Sequence, residues 1–187
     1  PKYTRLQRVQ RDIPADFIDA GVWKSNLRQL AQGYADDNGI ECRDIRAREV
    51  GMNEADPNPE DIELDVLTYE ACGGTEHFIS YEDTEQDLLI GFCRLRFPND
   101  PVRRELQNAA IVRELHVYGS EAGIGDSAGE ADWQHRGYGR RLLETAEELA
   151  ADAGFGKLSV ISGIGVREYY REKLGYTQDG PYVSTWL

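Results

Sequence analysis

Lysine is nearly missing from this chain. Lys2, Lys24, Lys157 and Lys173 stand beside 17 arginines in 187 residues, and 34 acids take the net charge to -13. That balance excludes strong nucleic-acid binding through bulk charge at low salt, since such binding needs a cationic surface. An acid-rich, lysine-poor composition suits a cytosol at molar salt, where the Debye length is only ~3 Å and self-repulsion is screened. An acidic protein of an ordinary cytosol has the same balance.

Cysteine is scarce as well. Cys42, Cys72 and Cys93 form no CxxC pair and no even set. This excludes a disulfide framework or a zinc knuckle and points to a reducing, cytoplasmic setting. No apolar run approaches the ~20 residues that span a bilayer, and no secretory leader is visible, so no membrane partner is expected. The sequence opens at Pro1 without methionine, as a piece of a longer chain would.

What is present is enough for one domain with an appendage, or one large domain: 40% of residues are hydrophobic. Residues 1–50 carry nine bases and eight acids, so the acidity lies in the rest. "SNLRQLAQGYADDNG" (25–39) reads as a helix closed by glycine, and "CRDIRAREVG" (42–51) is arginine-rich and ambiguous in period. "NEADPNPED" (53–61) is a turn-rich break. Strands are expected at 62–71, 76–82, 87–97 and 109–119, as an antiparallel meander. Residues 119–132 read as a glycine- and acid-rich loop, a flap beside a cleft. A helix over 138–153, a strand over 157–162, a helix over 165–173 and a hairpin over 174–187 complete the pattern. The fold class is α+β.

"WQHRGYGRR" (133–141) raises the functional question. It lies between a strand and an amphipathic helix on which Leu142, Leu143, Ala146, Leu149 and Ala150 share a face. The first turn of a helix has unpaired N–H groups and a partial positive charge. Gly137 and Gly139 clear side chains from its mouth, and Arg136, Arg140 and Arg141 stand where a first turn prefers acids. The arrangement reads as a phosphate cradle; a plain glycine turn with solvated arginines is the rival.

The set Gln134, Gly137, Gly139 resembles the pyrophosphate loop of GNAT-type acetyltransferases, and "EYYREKLGY" (168–176) resembles a later motif of that superfamily. "REVG" (48–51), "FISYED" (78–83), "LIGFCRLR" (89–96), "IVRELHVYGS" (111–120), "VISGIGVREYY" (160–170) and "GPY" (180–182) resemble the C-terminal part of the Elongator catalytic-subunit family. "RVQRDIP" (8–14) and "NLRQLA" (26–31) resemble the segment that joins its two domains. The resemblance implies a mostly antiparallel GNAT sheet flanked by helices at 52–187, after a helical linker at 1–51. It further implies acetyl-CoA as cofactor and tRNA wobble-uridine carboxymethylation as the reaction. S-adenosylmethionine and an iron–sulfur cluster would belong to a radical-SAM domain outside this chain, which lacks three closely spaced cysteines. Protein lysine acetylation, or a non-catalytic GNAT scaffold, are the alternatives.

By the same resemblance, the backbone of Glu114, Leu115, His116 and Val117 pairs with the pantetheine arm, and Tyr138, Gly139 and Arg140 meet the pyrophosphate. Tyr170 matches the tyrosine near the CoA sulfur, where a phenol of pKa ~10 can protonate a departing thiolate. The interval from Tyr170 to Gly175 is one residue longer than usual, which keeps Tyr169 open as the alternative. Glu114 and His116 share a strand face and form a candidate water-activating pair. Arg5, Arg8, Arg11, Arg43, Arg46 and Arg48 are candidates to follow an RNA backbone; the rival is a salt-bridged face.

Overall fold

Alternating apolar residues dictate the first half of the sheet. Ile62–Ala71 (β1), Gly74–Asp83 (β2), Leu88–Pro98 (β3) and Ala109–Val117 (β4) form an antiparallel meander. Lys157–Val160 (β5) then pairs with β4 in parallel. Thr177–Asp179 (β6) and Tyr182–Trp186 (β7) form the closing hairpin, giving the order β1-β2-β3-β4-β5-β7-β6. The helices are Leu27–Asp37 (α1), the single turn Ile45–Arg48 (α2), Tyr138–Asp152 (α3) and Arg167–Leu174 (α4). This computed structural model describes residues 1–6, 15–21, 23, 26–51, 56–119 and 137–187. The expected flap at 119–132 lies, but for Gly119, outside them.

Neighbours along a strand point to opposite faces, and each face has its own core. Ile79, Cys93, Leu95, Val112 and Leu158 meet Leu142, Leu143, Ala146 and Ala150 of α3 together with Tyr170 of α4. Phe78, Leu89 and Phe92 meet Ile45 of α2 on the other face, with Tyr3 and Tyr69 packed beside them. Val50 donates its N–H to the Leu89 carbonyl at 3.1 Å, and Glu49 bridges Leu89 in parallel. The expected boundary at 51/52 thus follows a segment that is anchored on β3.

Several expected ends shift. β4 stops at Val117; β5 stops at Val160, and the chain then turns through a 3-10 helix at Ile164–Val166 before α4 begins at Arg167. α1 has no buried residue and is held by Arg28, which donates to the Leu6 carbonyl at 2.9 Å and pairs with Asp44 at 3.3 Å. Among the described residues, no helix is long and apolar enough to cross a membrane.

Candidate active site

A fork opens in the sheet between β4 and β5. Their pairing runs from Ala109↔Lys157 to Val112↔Val160, and the last bond goes from the Ile161 N–H to the Val112 carbonyl at 2.9 Å. β4 continues to Val117 along β3, past the last pair that it makes with β5. The β3–β4 register explains the divergence. Glu114 faces Arg94 but Val112 faces Leu95, so Arg113 is an extra residue, and such a bulge bends and twists its strand. The backbone of residues 114–117 therefore borders the fork, where a strand edge can receive the amides of an extended ligand.

α3 starts at the mouth of this fork. Gly137 is its N-cap, at φ +79, a left-handed conformation that costs residues with a Cβ about 1 kcal/mol or more. Among the described residues a Cβ there would meet nothing within 4 Å, so Gly137 serves conformation. Gly139 serves space: a Cβ would lie 3.5 Å from Val117 Cγ2 and fill the notch between helix and strand. Among the described residues no side chain caps the first turn, and no acid occupies it. Its amides have no acceptors inside the helix, and such a helix start can receive an anion. Arg140 adds exposed charge, paired to Glu144 at 2.8 Å, and Arg141 lies over the Tyr138 ring at 5.2 Å. The Tyr138 side chain is buried among Val50, Leu88 and Ile90, edge-on to Tyr81, so only its backbone is available to a ligand. Gln134 and Arg136 lie outside the described residues.

α4 separates its two tyrosines. Tyr169 is 50% exposed, whereas Tyr170 is 6% exposed and packs among Cys93, Tyr176 and the α3 residues. Burial raises the Tyr170 phenol to about 12. The inward position falls to Tyr170.

A family description fits this geometry. The chain matches the model described as Acetyltransferase (GNAT) family over residues 41–176.

This chain belongs to the GNAT acetyltransferase family.

Within the family its similarity is narrow. It is 51% identical to "Elongator complex protein 3" of Schizosaccharomyces pombe and 50% identical to "tRNA uridine(34) acetyltransferase" of Methanocaldococcus jannaschii, in each case over 100% of this chain. It covers 35% and 36% of those two proteins, about a third of their length, and matches their C-terminal part. The solved structure of the archaeal Methanocaldococcus infernus Elp3 with an N-terminal deletion aligns with a TM-score of 0.90 at 49% identity, over 100% of this chain and 45% of that one.

The face of this GNAT sheet opposite α3 carries the remaining candidates. Glu114 accepts from Arg94 Nε at 2.8 Å, from Arg5 Nη1 at 3.2 Å and from His116 Nε2 at 3.1 Å. The bond from His116, with the Arg94 guanidinium, holds its carboxyl at about 2. A carboxylate held that low accepts a proton poorly in the ligand-free chain. A carboxylate can only accept a hydrogen bond, so the His116 Nε2 carries the hydrogen. The ring lies among Phe92 and Tyr118, with centroids at 5.5 and 6.2 Å.

The front arginines lie in different surroundings. Arg48 is 3% exposed between Glu82 and Asp87 and cannot reach a phosphate. Arg43 is bidentate on Asp87, at 3.0 and 2.7 Å. The Arg46 Nε is buried without a hydrogen-bond partner among the described residues. Arg8 and Arg11 lie outside them. The salt-bridged reading holds for Arg43 and Arg48, whereas Arg5 joins a different group. Sequence reasoning missed the rest of that group, Arg94, Arg113, Tyr3 and Tyr69. Strand pairing brings them together across more than 90 positions, and no local pattern marks them.

Proposed function

We propose that this chain is the acetyl-CoA-binding, acetyl-transferring part of a longer cytoplasmic enzyme that carboxymethylates the wobble uridine of tRNA at C5. The fork with its glycine-lined helix start carries the reading, and the name of the Methanocaldococcus jannaschii relative supports the substrate. Bound acetyl-CoA would supply an activated acetyl thioester. Backbone groups of Glu114, Leu115, His116 and Val117 would hold its pantetheine arm. The first turn of α3, with Gly139 and Arg140, would hold the pyrophosphate. Tyr170 keeps its proton at neutral pH and would hold it for the departing sulfur.

S-adenosylmethionine and an iron–sulfur cluster belong, in this reading, to a radical-SAM partner domain outside the chain. Cys42, Cys72 and Cys93 are free, one half-buried, one exposed and one buried, and they do not fit a cluster. Among the described residues no three His, Cys, Asp or Glu side chains gather to hold a metal. No step in this chain runs through that chemistry.

Titration calorimetry with acetyl-CoA tests the cofactor reading. Gly139→Val should weaken binding at least tenfold with an unchanged thermal midpoint, because the new side chain occupies the notch. Unchanged affinity in the folded variant rejects the site.

A further inference from the structure

A second cavity, about 400 Å³, opens on the sheet face opposite α3, between the N-terminal segment and β4. Tyr3, Arg5, Tyr69, Arg94, Arg113 and Glu114 line it. Three arginines against one carboxylate give it a positive balance inside a chain of net charge -13. Anions are repelled from most of this surface and drawn to this place. The two rings stack face to face, with centroids 3.9 Å apart and planes 12° apart, so a further ring can lie only on an outer face of the pair.

The guanidinium groups divide the work. Arg94 is consumed by the protein: it donates to Glu114, to the Tyr3 carbonyl and, at 3.4 Å, to the Tyr69 hydroxyl. It thereby fixes Tyr3 and Tyr69 in their stack. Arg113 is different. It is the bulge residue of β4, 47% exposed, and one of its nitrogens bonds Glu76. A guanidinium has five N–H donors, so most of its donors stay available. Arg5 bonds Glu114 through Nη1 and keeps donors for a second acceptor in the same way.

We propose that this pocket binds one nucleotide of single-stranded RNA, its phosphate on Arg113 and Arg5 and its base against the Tyr3–Tyr69 pair. The proposal rests on the RNA-modifying reading above and names where the acceptor strand is held. The volume suits a small ligand, in the roughly 300–1,000 Å³ range of such sites. It admits one nucleotide and no duplex, whose bases would be hidden from the rings. Guanidinium charge beside an aromatic face is the pairing that single strands use. An acidic peptide would use the arginines and leave the rings idle. Position supports function: Arg113 and Glu114 belong to the bulge that opens the fork, so only strand β4 separates the pocket from the proposed cofactor edge.

Fluorescence anisotropy with a short labelled oligouridine at low salt tests this on the 187-residue chain. Arg113→Ala should weaken binding on the order of tenfold and lower the salt slope by about 0.7 for the lost phosphate contact. Tyr3→Ala should weaken it about tenfold with the slope retained, and Tyr3→Phe should restore it. Arg104→Ala, which removes an almost fully exposed charge elsewhere, should change little. Acetyl-CoA affinity, read by calorimetry, should stay constant throughout, so that a failure of this pocket and a failure of the cofactor site are told apart. Arg113 is half-exposed, so its variant keeps the test sound even if Tyr3→Ala fails to fold. Equal oligouridine affinity in wild type and Arg113→Ala overturns the proposal. So does displacement of RNA by polyglutamate with Tyr3→Ala silent, which would make the pocket an acidic-peptide site.

Discussion

Two buried phenols lie 5.7 Å apart and differ in what holds their hydroxyls. Tyr176 donates to Glu147 at 2.6 Å and is spent on structure. Tyr170, among the described residues, has no such bond, so its proton is available to a ligand. Tyr170→Phe is expected to keep acetyl-CoA affinity within about twofold and to slow thioester cleavage on the order of a hundredfold, since only the proton donor is lost. A thiol-release assay beside calorimetry measures both; equal losses would make Tyr170 a packing residue. Glu114 offers a different test. Its folded carboxyl titrates at about 2, against an ordinary 4.5. A depressed carboxyl contributes stability above its ordinary value, and that contribution disappears as pH falls through the folded one. Glu114→Gln should therefore lower the melting temperature near neutral pH, and the gap to wild type should close between pH 4.5 and 2. Melting curves across that window decide it.

Elements were legible in proportion to their length and regularity. Alternation marks 62–71, and β1 has those bounds. The 15-residue α3 shows its apolar stripe plainly. α2 stayed hidden because four residues are too few to display a helical period, and two of them are arginines. Its fate is decided by tertiary packing, with Ile45 fully buried under β3. The cradle was visible because glycines mark a helix start. The pocket was not, because charges on β3 and β4 read as ordinary exposed positions until the register places Arg94 against Glu114. The start of α3 is also where an element can be tested. Gly137→Ala should cost about 1 kcal/mol of stability, since φ +79 must be kept with a Cβ. Urea unfolding reads this as a lower midpoint with an unchanged slope.

The uneven charge of the chain has a molecular purpose. Lys2 pairs with Asp65 and Glu82, Arg43 with Asp87, and Arg48 with Glu82 and Asp87, so the near-neutral front is clamped onto the acidic body. Exposed pairs of this kind contribute little, but removing one partner of a buried one costs about 3–5 kcal/mol, which assigns most of the clamp to Arg48. The parallel pair of β4 and β5 has a consequence in time. It joins a four-strand meander to the β5-β7-β6 unit through only four residues of ladder, across a connection of some 40 residues. Such a seam is the natural plane of sub-global opening, since each side keeps its own local pairings. In hydrogen exchange, amides of β5 and β7 should open together and faster than those of β2 and β3. A ligand seated in the fork binds only the closed form and should slow that opening in proportion to its saturation. Protection would then spread to β7, which borders no part of the fork. The notch proposed for the cofactor would then act as the latch between the two halves of the sheet.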